Sequence, residues 1–360
     1  MWQRHQQILT RFPHDCNILF VEPSFWLSLA WSVINLSPLD IIPHKVCKNI
    51  TIISVPTIPF GDKVSILRKI NDKLINFWMK IFMKIYHLDD PVLMFYKPRY
   101  SCVLGKLDEK MTCYDITDDI LEFNASANWL KNNVSKLIND VDLVVTASQR
   151  LYEKISQERN ENIALIGNGV EANHFKKALG NIEKPKDLEN IKSPILGYIG
   201  AVGEWFDDSL LEKILKERQD LAVVIIGWSF KLQKKKLKDL QKKYNNLYLL
   251  GRRSYQILPN YVKYFDVCLI PFKICQLTAS VNPTKLYEYM AAGKPIVSTH
   301  MPELNRFKDI VYIANNHDEF LSYLDMALRK KYEIEKSIKI AEENDWNNKA
   351  SIMINLINRS

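Results

Sequence analysis

The chain has 360 residues, of which 47% are hydrophobic and 25% are charged, and its formal net charge is +8 at pH 7. This length favours about two domains, and the composition is typical of a soluble globular protein. The positive charge favours an anionic partner, such as a nucleotide, a phosphate or an acidic lipid surface. No recognised nucleic-acid-binding module is found in the sequence, so we expect no nucleic-acid partner.

The cysteines give no sign of a metal site or of a disulfide framework. They are scattered, without a CxxC pair, at Cys16, Cys47, Cys102, Cys113, Cys268 and Cys275. Reduced thiols in a cytoplasmic protein are the better interpretation. The first residues, MWQRHQQILTRF, are polar and helix-like and do not have the pattern of a signal peptide.

Short apolar runs typical of β-strands alternate with helical patterns along the chain. The first series is NILFVEP (17–23), NITIISV (49–55), VLMFY (92–96), MTCYDIT (111–117), DLVVTAS (142–148) and IALIGNG (163–169). The second series is ILGYIGA (195–201), AVVIIGW (222–228), LYLLG (247–251), VCLIPF (267–272), PIVST (295–299) and VYIA (311–314). This alternation predicts an α/β protein in which parallel sheets are covered by helices on both faces.

Two such series separated by a polar stretch predict two Rossmann-like domains. We expect an N-terminal domain over 1–175, a linker over 176–193 and a second domain over 194–330, followed by C-terminal helices over 331–360 that cross back to the first domain. Ligands of parallel sheets bind at the carboxyl ends of the strands, so a cleft between the domains is the expected site.

Residues Lys63 to Tyr86 predict one amphipathic helix in the first domain. At 100° per residue, four lysines fall within an arc of roughly 60° beside an aromatic-rich apolar face. The lysines are Lys69, Lys73, Lys80 and Lys84. This arrangement suits an anionic membrane surface, and a helix packed on the core with a lysine margin explains it equally well.

The stretch NPTKLYEYMAAGKPIVST (282–299) predicts a helix followed by a buried strand. Asn282 is a good N-cap, Pro283 suits the first helical position, and Gly293 suits a left-handed helix end. The free N–H groups at the helix start form a possible anion site. One turn further in, Glu288 lies beside Thr284 and Lys285 by helical spacing. A solvated acid paired with a lysine is the alternative interpretation of Glu288.

Small or charged residues follow several strands of the second series, where a ligand of the sheet would lie. They include Gly200, Trp205, Gly227 and Arg253. The GxGxxG fingerprint of dinucleotide-binding folds is absent after every predicted strand, which argues against an NAD or FAD enzyme.

Several segments, in order, resemble the retaining GT-B-type glycosyltransferases of family 4, also called glycosyl transferases group 1. These segments are NPTKLYEYMAAGKPIVST, DVDLVVTASQRLYEKI with IALIGNGVEANHF, PILGYIGAVGEWFDDSLL, LYLLGRRSYQILPNYVKYFDVCLIPF and AEENDWNNKASIMINLI. WQRHQQILTRF followed by ILFVEP is similar to a bacterial subgroup linked to cell-surface polysaccharide synthesis of the teichuronic acid type.

The resemblance implies a transferase that moves a sugar from a UDP- or GDP-linked donor to a glycan or lipid-linked acceptor, with retention. Glu288 would hold the donor ribose, and the helix start from Asn282 to Lys285 would face the diphosphate. Lys285 and Arg253 would supply counter-charges, the loop from Gly200 would approach the phosphates or the base, and Trp205 would pack on a ring. No metal or other cofactor is implied, and the enzyme would work in the cytoplasm, on the inner face of the membrane.

Three departures from the family pattern stand beside this resemblance. Ser280 occupies the position where many relatives carry a second acid, and WFDD replaces the usual Lys-Gly after the first strand of the second domain. Relatives also have a strand before the WQR-like segment, so we expect the first strand of the N-terminal domain to be absent. Ser280 and the expected absence of the first strand favour an alternative function, a catalytically impaired homologue that binds a nucleotide, a glycan or a partner protein.

Acceptor-side candidates lie in the first domain. The stretch YDITDDILEF places Asp115, Asp118 and Asp119 at the end of a strand, and one of them would bind acceptor hydroxyls or act as a base. The alternative is that they cap the next helix. Arg4 begins a helix and is expected to meet phosphate across the cleft.

Overall fold

The computed structural model describes residues 3–26, 43–123, 127–329 and 332–359. They form two compact units. The N-terminal unit holds the described residues of Trp2–Thr146, Tyr152–Ile166 and Ala350–Ser360, and the C-terminal unit holds Ala147–Leu151 and Gly167–Lys349.

The first part of the chain alternates strands and helices, as its sequence predicts. Its elements are α1 (Arg4–Leu9), β1 (Ile18–Trp26), β2 (His44–Cys47), β3 (Ile50–Thr57), α2 (Ser65–Ile85), β4 (Val92–Phe95), β5 (Met111–Ile116), α3 (Ile120–Phe123), α4 (Asn128–Asp140), β6 (Leu143–Thr146), α5 (Gln149–Ser156) and β7 (Ile163–Leu165). The six predicted strands are confirmed, and β2 is an addition that the sequence pattern did not indicate.

The described strands of the N-terminal unit form two sheets. One has the order β1-β3-β2, in which β1 and β3 are parallel and β2 is antiparallel to β3. The other is the parallel sheet β4-β5-β6-β7. Within the described part of this unit, β1 and β4 each end a sheet.

The second part of the chain repeats the alternation. Its elements are α6 (Ala172–Phe175), β8 (Ile195–Ile199), α7 (Asp208–Glu217), β9 (Ala222–Ile226), α8 (Lys231–Lys243), β10 (Leu247–Gly251), α9 (Leu258–Val262), β11 (Val267–Ile270), α10 (Gln276–Ala279), α11 (Thr284–Ala291), β12 (Ile296–Thr299), β13 (Tyr312–Ala314), α12 (His317–Arg329), α13 (Ile334–Glu343) and α14 (Trp346–Arg359).

The sheet of the C-terminal unit is parallel throughout and has the order β10-β9-β8-β11-β12-β13. Every residue of β8, β9, β11 and β12 is buried. Strands covered on both faces carry continuous apolar runs, which is why the sequence showed no alternation here. The carboxyl ends of all six strands lie at one edge of the sheet.

Residues 176–193, expected as a linker, belong to the C-terminal unit. Leu188 and Ile191 are buried in its core, and the hydroxyl group of Tyr264 donates to the carbonyl of Ile182. Apolar side chains spaced through a polar stretch explain this packing, because each covers part of the unit while its neighbours stay in water. No described helix is long and apolar enough to cross a lipid bilayer.

Candidate functional site

The predicted helix at 282–293 is present, and its start differs from the expectation in two respects. Helix α11 begins at Thr284, and no described side chain caps it. Pro283 precedes the helix with extended backbone angles, so the prediction that it takes the first helical position is wrong. The amide nitrogen of Asn282 instead donates to the carbonyl of Ala147 (3.1 Å) and to Glu303 (3.3 Å). The prediction that Asn282 is the cap is therefore wrong, because its side chain is used in tertiary contacts. Gly293, at φ 64°, ends the helix as predicted.

Glu303 fixes the start of α11 and was not indicated by the sequence. It is 5% exposed, it accepts a hydrogen bond from the N–H of Gln149 (2.9 Å), and it pairs with Arg306 (2.6 Å). The amide of Asn168 donates to the carbonyl of Asn282 (2.7 Å). Of these contacts only Asn168 had a signal in the sequence, through the family-like NGV segment. Together they hold two loops against the helix start.

Glu288 is a buried acid with an unused hydrogen-bonding atom. The residue is 2% exposed, and its Oε2 has no hydrogen-bond partner among the described residues. Burial raises the pKa of Glu288 to about 7, and the charge of Lys285 opposes this shift. A buried acceptor without a donor costs free energy, so this carboxyl group is suited to hydroxyl donors from a ligand. The alternative of a solvated acid does not fit this burial.

Lys285 lies over the end of β8. Its ammonium group is 5.3 Å from the ring centre of Tyr198 and 4.6 Å from that of Phe272. Burial lowers the pKa of Lys285 to about 8, and the charge of Glu288 opposes this shift. The two aromatic faces stabilise a cation that is partly removed from water.

The backbone beside the Lys285 side chain belongs to glycine residues. A Cβ at Gly200 would come within 3.1 Å of the Cε atom of Lys285, and a Cβ at Gly227 would lie 1.9 Å from the carbonyl oxygen of Gly200. Both glycines have positive φ angles, 146° and 150°. The ends of β8 and β9 therefore touch through their backbones, which leaves peptide groups close to Lys285 without covering side chains.

Two other predicted site residues, Arg253 and Trp205, make contacts with residues of the C-terminal unit itself. Arg253 pairs with Asp187 (2.6 Å) and donates to the hydroxyl group of Tyr261 (2.9 Å). Trp205 is half-buried and packs on Gly203, where a Cβ would lie 2.4 Å from its ring. The structure thus brings together Glu288, Lys285, Thr284, Pro283, Gly200 and Gly227, and gives Arg253 and Trp205 internal partners.

The predicted residues of the N-terminal unit are also paired. Arg4 is 6% exposed, and its Nε donates to both oxygens of Asp115 (2.9 and 3.1 Å), a carboxylate buried to 1% exposure. Asp119 pairs with Lys154 (2.6 Å), and Asp118 accepts a hydrogen bond from the Thr117 hydroxyl group (3.3 Å). Arg4 is thus tied to β5 by an ion pair, which the sequence did not predict.

The described residues contain no group of three or more His, Cys, Asp or Glu side chains placed to hold a metal ion.

Residues 193–329, within the C-terminal unit, match the family model for Glycosyl transferases group 1. Over these residues the match confirms the resemblance seen in the sequence, and the likeness to solved structures shows that the fold is GT-B. HepE from Anabaena, solved in complex with UDP and glucose, superimposes with a TM-score of 0.66 at 14% identity, over 86% of this chain and 87% of HepE.

Two further proteins are similar to this chain, one in structure and one in sequence. The α,α-trehalose 6-phosphate synthase from Burkholderia multivorans superimposes with a TM-score of 0.69 at 10% identity, over 96% of this chain and 98% of the synthase. At such identities the likeness shows the fold. TuaH of Bacillus subtilis (strain 168), which is named as a teichuronic acid biosynthesis glycosyltransferase, is 23% identical over 230 residues. The match covers 61% of this chain and 57% of TuaH, so the chain spans little more than half of that relative.

Proposed function

We propose that this protein is a glycosyltransferase that uses a nucleotide-sugar donor. The observation that carries the proposal is the buried Glu288 carboxyl group, one turn into α11, whose Oε2 has no hydrogen-bond partner in the described part of the chain. The proposal is supported by the matched family and by two relatives, since HepE was solved with UDP and TuaH is named as a glycosyltransferase.

Each part of the donor has a proposed contact. Glu288 accepts hydrogen bonds from the two vicinal ribose hydroxyls, and such bonds to a charged acceptor are strong. The free N–H groups of Thr284 and Lys285 at the start of α11 face the diphosphate, and the Lys285 ammonium group neutralises part of its charge. Gly200 and Gly227 let the phosphates approach the backbone. Ser280, 4% exposed, takes the position of the family's second acid, so the donor sugar is held by other groups.

The proposed transfer retains the anomeric configuration and needs no metal. The bond between the anomeric carbon and the diphosphate oxygen breaks, and the acceptor oxygen attacks the same face of the sugar. The acceptor proton passes to the leaving phosphate oxygen. The charge that develops on the diphosphate is stabilised by Lys285 and by the start of α11. Asp118 and Asp119 remain candidates for binding acceptor hydroxyls in the N-terminal unit.

A nucleotide screen tests this function. Thermal unfolding is measured with UDP, GDP and their sugars, since a bound ligand raises the unfolding temperature by mass action. We expect stabilisation by at least one nucleotide, and donor turnover that persists in excess EDTA. No stabilisation by any of them would overturn the proposal. Stabilisation without turnover on any glycan or lipid-linked acceptor would identify the protein as a catalytically impaired homologue.

The exposed face of helix α2 supports the proposal that the protein binds a membrane surface. Only Asn71, Ile75 and Met79 of its 21 residues are buried. On the opposite face, exposed apolar side chains adjoin exposed lysines, and the outward arc contains no acid. The apolar residues are Ile66, Ile70 and Phe77, and the lysines are Lys69, Lys73, Lys80 and Lys84. This chemistry suits an anionic lipid surface, and it supports a lipid-linked acceptor in cell-surface polysaccharide synthesis.

Vesicle binding tests this surface. The full chain should bind vesicles that contain phosphatidylglycerol and should bind vesicles of phosphatidylcholine alone at least tenfold more weakly, because each lysine near an anionic surface contributes about 1 kcal/mol. Changing Lys69, Lys73, Lys80 and Lys84 to Gln should abolish the difference. The matched control changes four exposed lysines of α8 to Gln, namely Lys234, Lys235, Lys238 and Lys242. Equal losses in the two variants would mean that net charge, rather than α2, drives binding.

A further inference from the structure

An exposed cluster of aromatic rings follows β9 in the C-terminal unit. Trp228 and Phe230 are 49% and 45% exposed, and their ring centres are 4.4 Å apart. Phe230 packs in turn edge-on against Trp205, with ring centres 5.9 Å apart. Large aromatic side chains left half in water are unusual on a surface without a partner. Trp205, which the sequence analysis expected to pack on a ring, contacts Phe230 of this cluster.

Backbone hydrogen bonds hold the cluster next to Gly200 and Gly227. The N–H of Val202, in the loop after β8, donates to the carbonyl of Trp228 (2.9 Å), and the N–H of Phe230 donates to the carbonyl of Val202 (3.1 Å). Trp228 directly follows Gly227, the residue that touches the backbone of Gly200. The exposed rings therefore lie at the carboxyl edge of the sheet, one strand away from the proposed diphosphate position.

The loop after β8 links the cluster to Lys285. The Lys285 ammonium group lies over the ring of Tyr198, whose hydroxyl group donates to the carbonyl of Ala201 in this loop (2.7 Å). Trp205, in the same loop, packs against Phe230, and Phe230 packs against Trp228. The loop after β8 thus joins the proposed phosphate contact to the exposed rings.

The charge around the cluster suits an anionic ligand. Residues 228–238 read WSFKLQKKKLK and contain five lysines and no acid. Lys231, Lys234 and Lys235, in the first turns of α8, are exposed. A flat ring that carries phosphate groups matches both properties, because the indole face offers stacking and the lysines attract the negative charge.

We propose that Trp228, with Phe230 beside it, is the stacking platform for the nucleobase of the donor. The assignment rests on the proposed function, since it places the base of the same nucleotide whose ribose meets Glu288. Stacking uses the ring face that every base presents, so this contact adds affinity with little discrimination among bases. A site of this kind accepts UDP and GDP more equally than a site built on hydrogen bonds to base edges.

Calorimetric titration of the wild type and three variants tests the platform. UDP, GDP and inorganic pyrophosphate are titrated into the full wild-type chain, Trp228→Ala, Trp228→Phe and Leu232→Ala. The last is the control, because Leu232 is 62% exposed on neighbouring α8. Trp228→Ala should weaken UDP and GDP about tenfold and leave pyrophosphate unchanged, whereas Trp228→Phe should stay within about threefold of wild type and Leu232→Ala should match it.

Each contrary outcome has a distinct meaning. UDP binding by Trp228→Ala at wild-type affinity would overturn the platform and leave the proposed function standing. An equal loss for UDP and pyrophosphate would also overturn it, since pyrophosphate has no base. Absence of nucleotide binding by the wild-type chain would overturn the proposed function and the platform together.

Discussion

Replacing Glu288 by alanine should weaken UDP binding by about a hundredfold or more and abolish donor turnover, while the protein stays folded. The change removes an acceptor for two ribose hydroxyls, and a hydrogen bond to a charged group contributes about 1.5–3 kcal/mol. Affinity is measured by calorimetry and turnover by release of free nucleotide. Glu335→Gln, a change of an exposed acid in the same unit, is the matched control and should behave as wild type.

Without ligand, the buried Glu288 should make the free energy of unfolding depend on pH. The pKa of Glu288 is about 7 in the folded protein against an ordinary value of 4.5. Because the folded state holds the proton more tightly, the stabilisation from this group is complete below about pH 4.5 and is lost as the pH rises towards 7. Relative to Glu288→Gln, the wild type should therefore lose stability across this window. Urea unfolding of both proteins at pH 5 and pH 7.5 measures the difference, and parallel pH profiles would contradict it.

Replacing Gly227 by alanine should lower the free energy of unfolding by about 3 kcal/mol or more and should also abolish nucleotide binding. The new Cβ would lie 1.9 Å from the carbonyl oxygen of Gly200, and this contact is between backbones and cannot be relieved by a side-chain rotation. The φ angle of 150° adds strain for any residue with a Cβ. Urea unfolding measures the loss.

Gly251→Ala is the matched control for this prediction. Gly251 also ends a strand and also has a positive φ angle, 70°, yet a Cβ there would meet nothing within 4 Å. Its replacement should therefore cost about 1 kcal/mol, from backbone strain alone. Equal losses for the two variants would show that the contact between Gly227 and Gly200 does not determine the stability of this edge.

The elements of the fold could be predicted from the sequence because they depend on local patterns. Apolar runs predicted all six strands of the C-terminal sheet, and Gly293 marked the end of α11. Strand β2 was missed because it is a short edge strand with two exposed residues, and its one partner among the described strands is β3. Its stability comes from a partner distant in sequence, and no local pattern records such a partner.

The site could be predicted in part. The sequence placed Glu288 and Lys285 on one helix, and the structure adds the burial of Glu288 and a carboxylate oxygen without a hydrogen-bond partner among the described residues. Whether a polar side chain faces a ligand or another residue depends on contacts between distant segments. Asp187 is the partner of Arg253 and Asp115 the partner of Arg4, and nothing local to either arginine indicates it. Glu303 was missed for the same reason.

The central claim, that Glu288 holds the ribose of a nucleotide, is tested most directly by removing the hydroxyls it would bind. UDP and 2′,3′-dideoxy-UDP are titrated into the wild-type chain and into Glu288→Ala, which has no hydrogen-bonding group at this position. We expect the wild type to bind dideoxy-UDP at least tenfold more weakly than UDP, and Glu288→Ala to bind the two with nearly equal affinity. Equal affinity of the wild-type chain for UDP and dideoxy-UDP would contradict the claim.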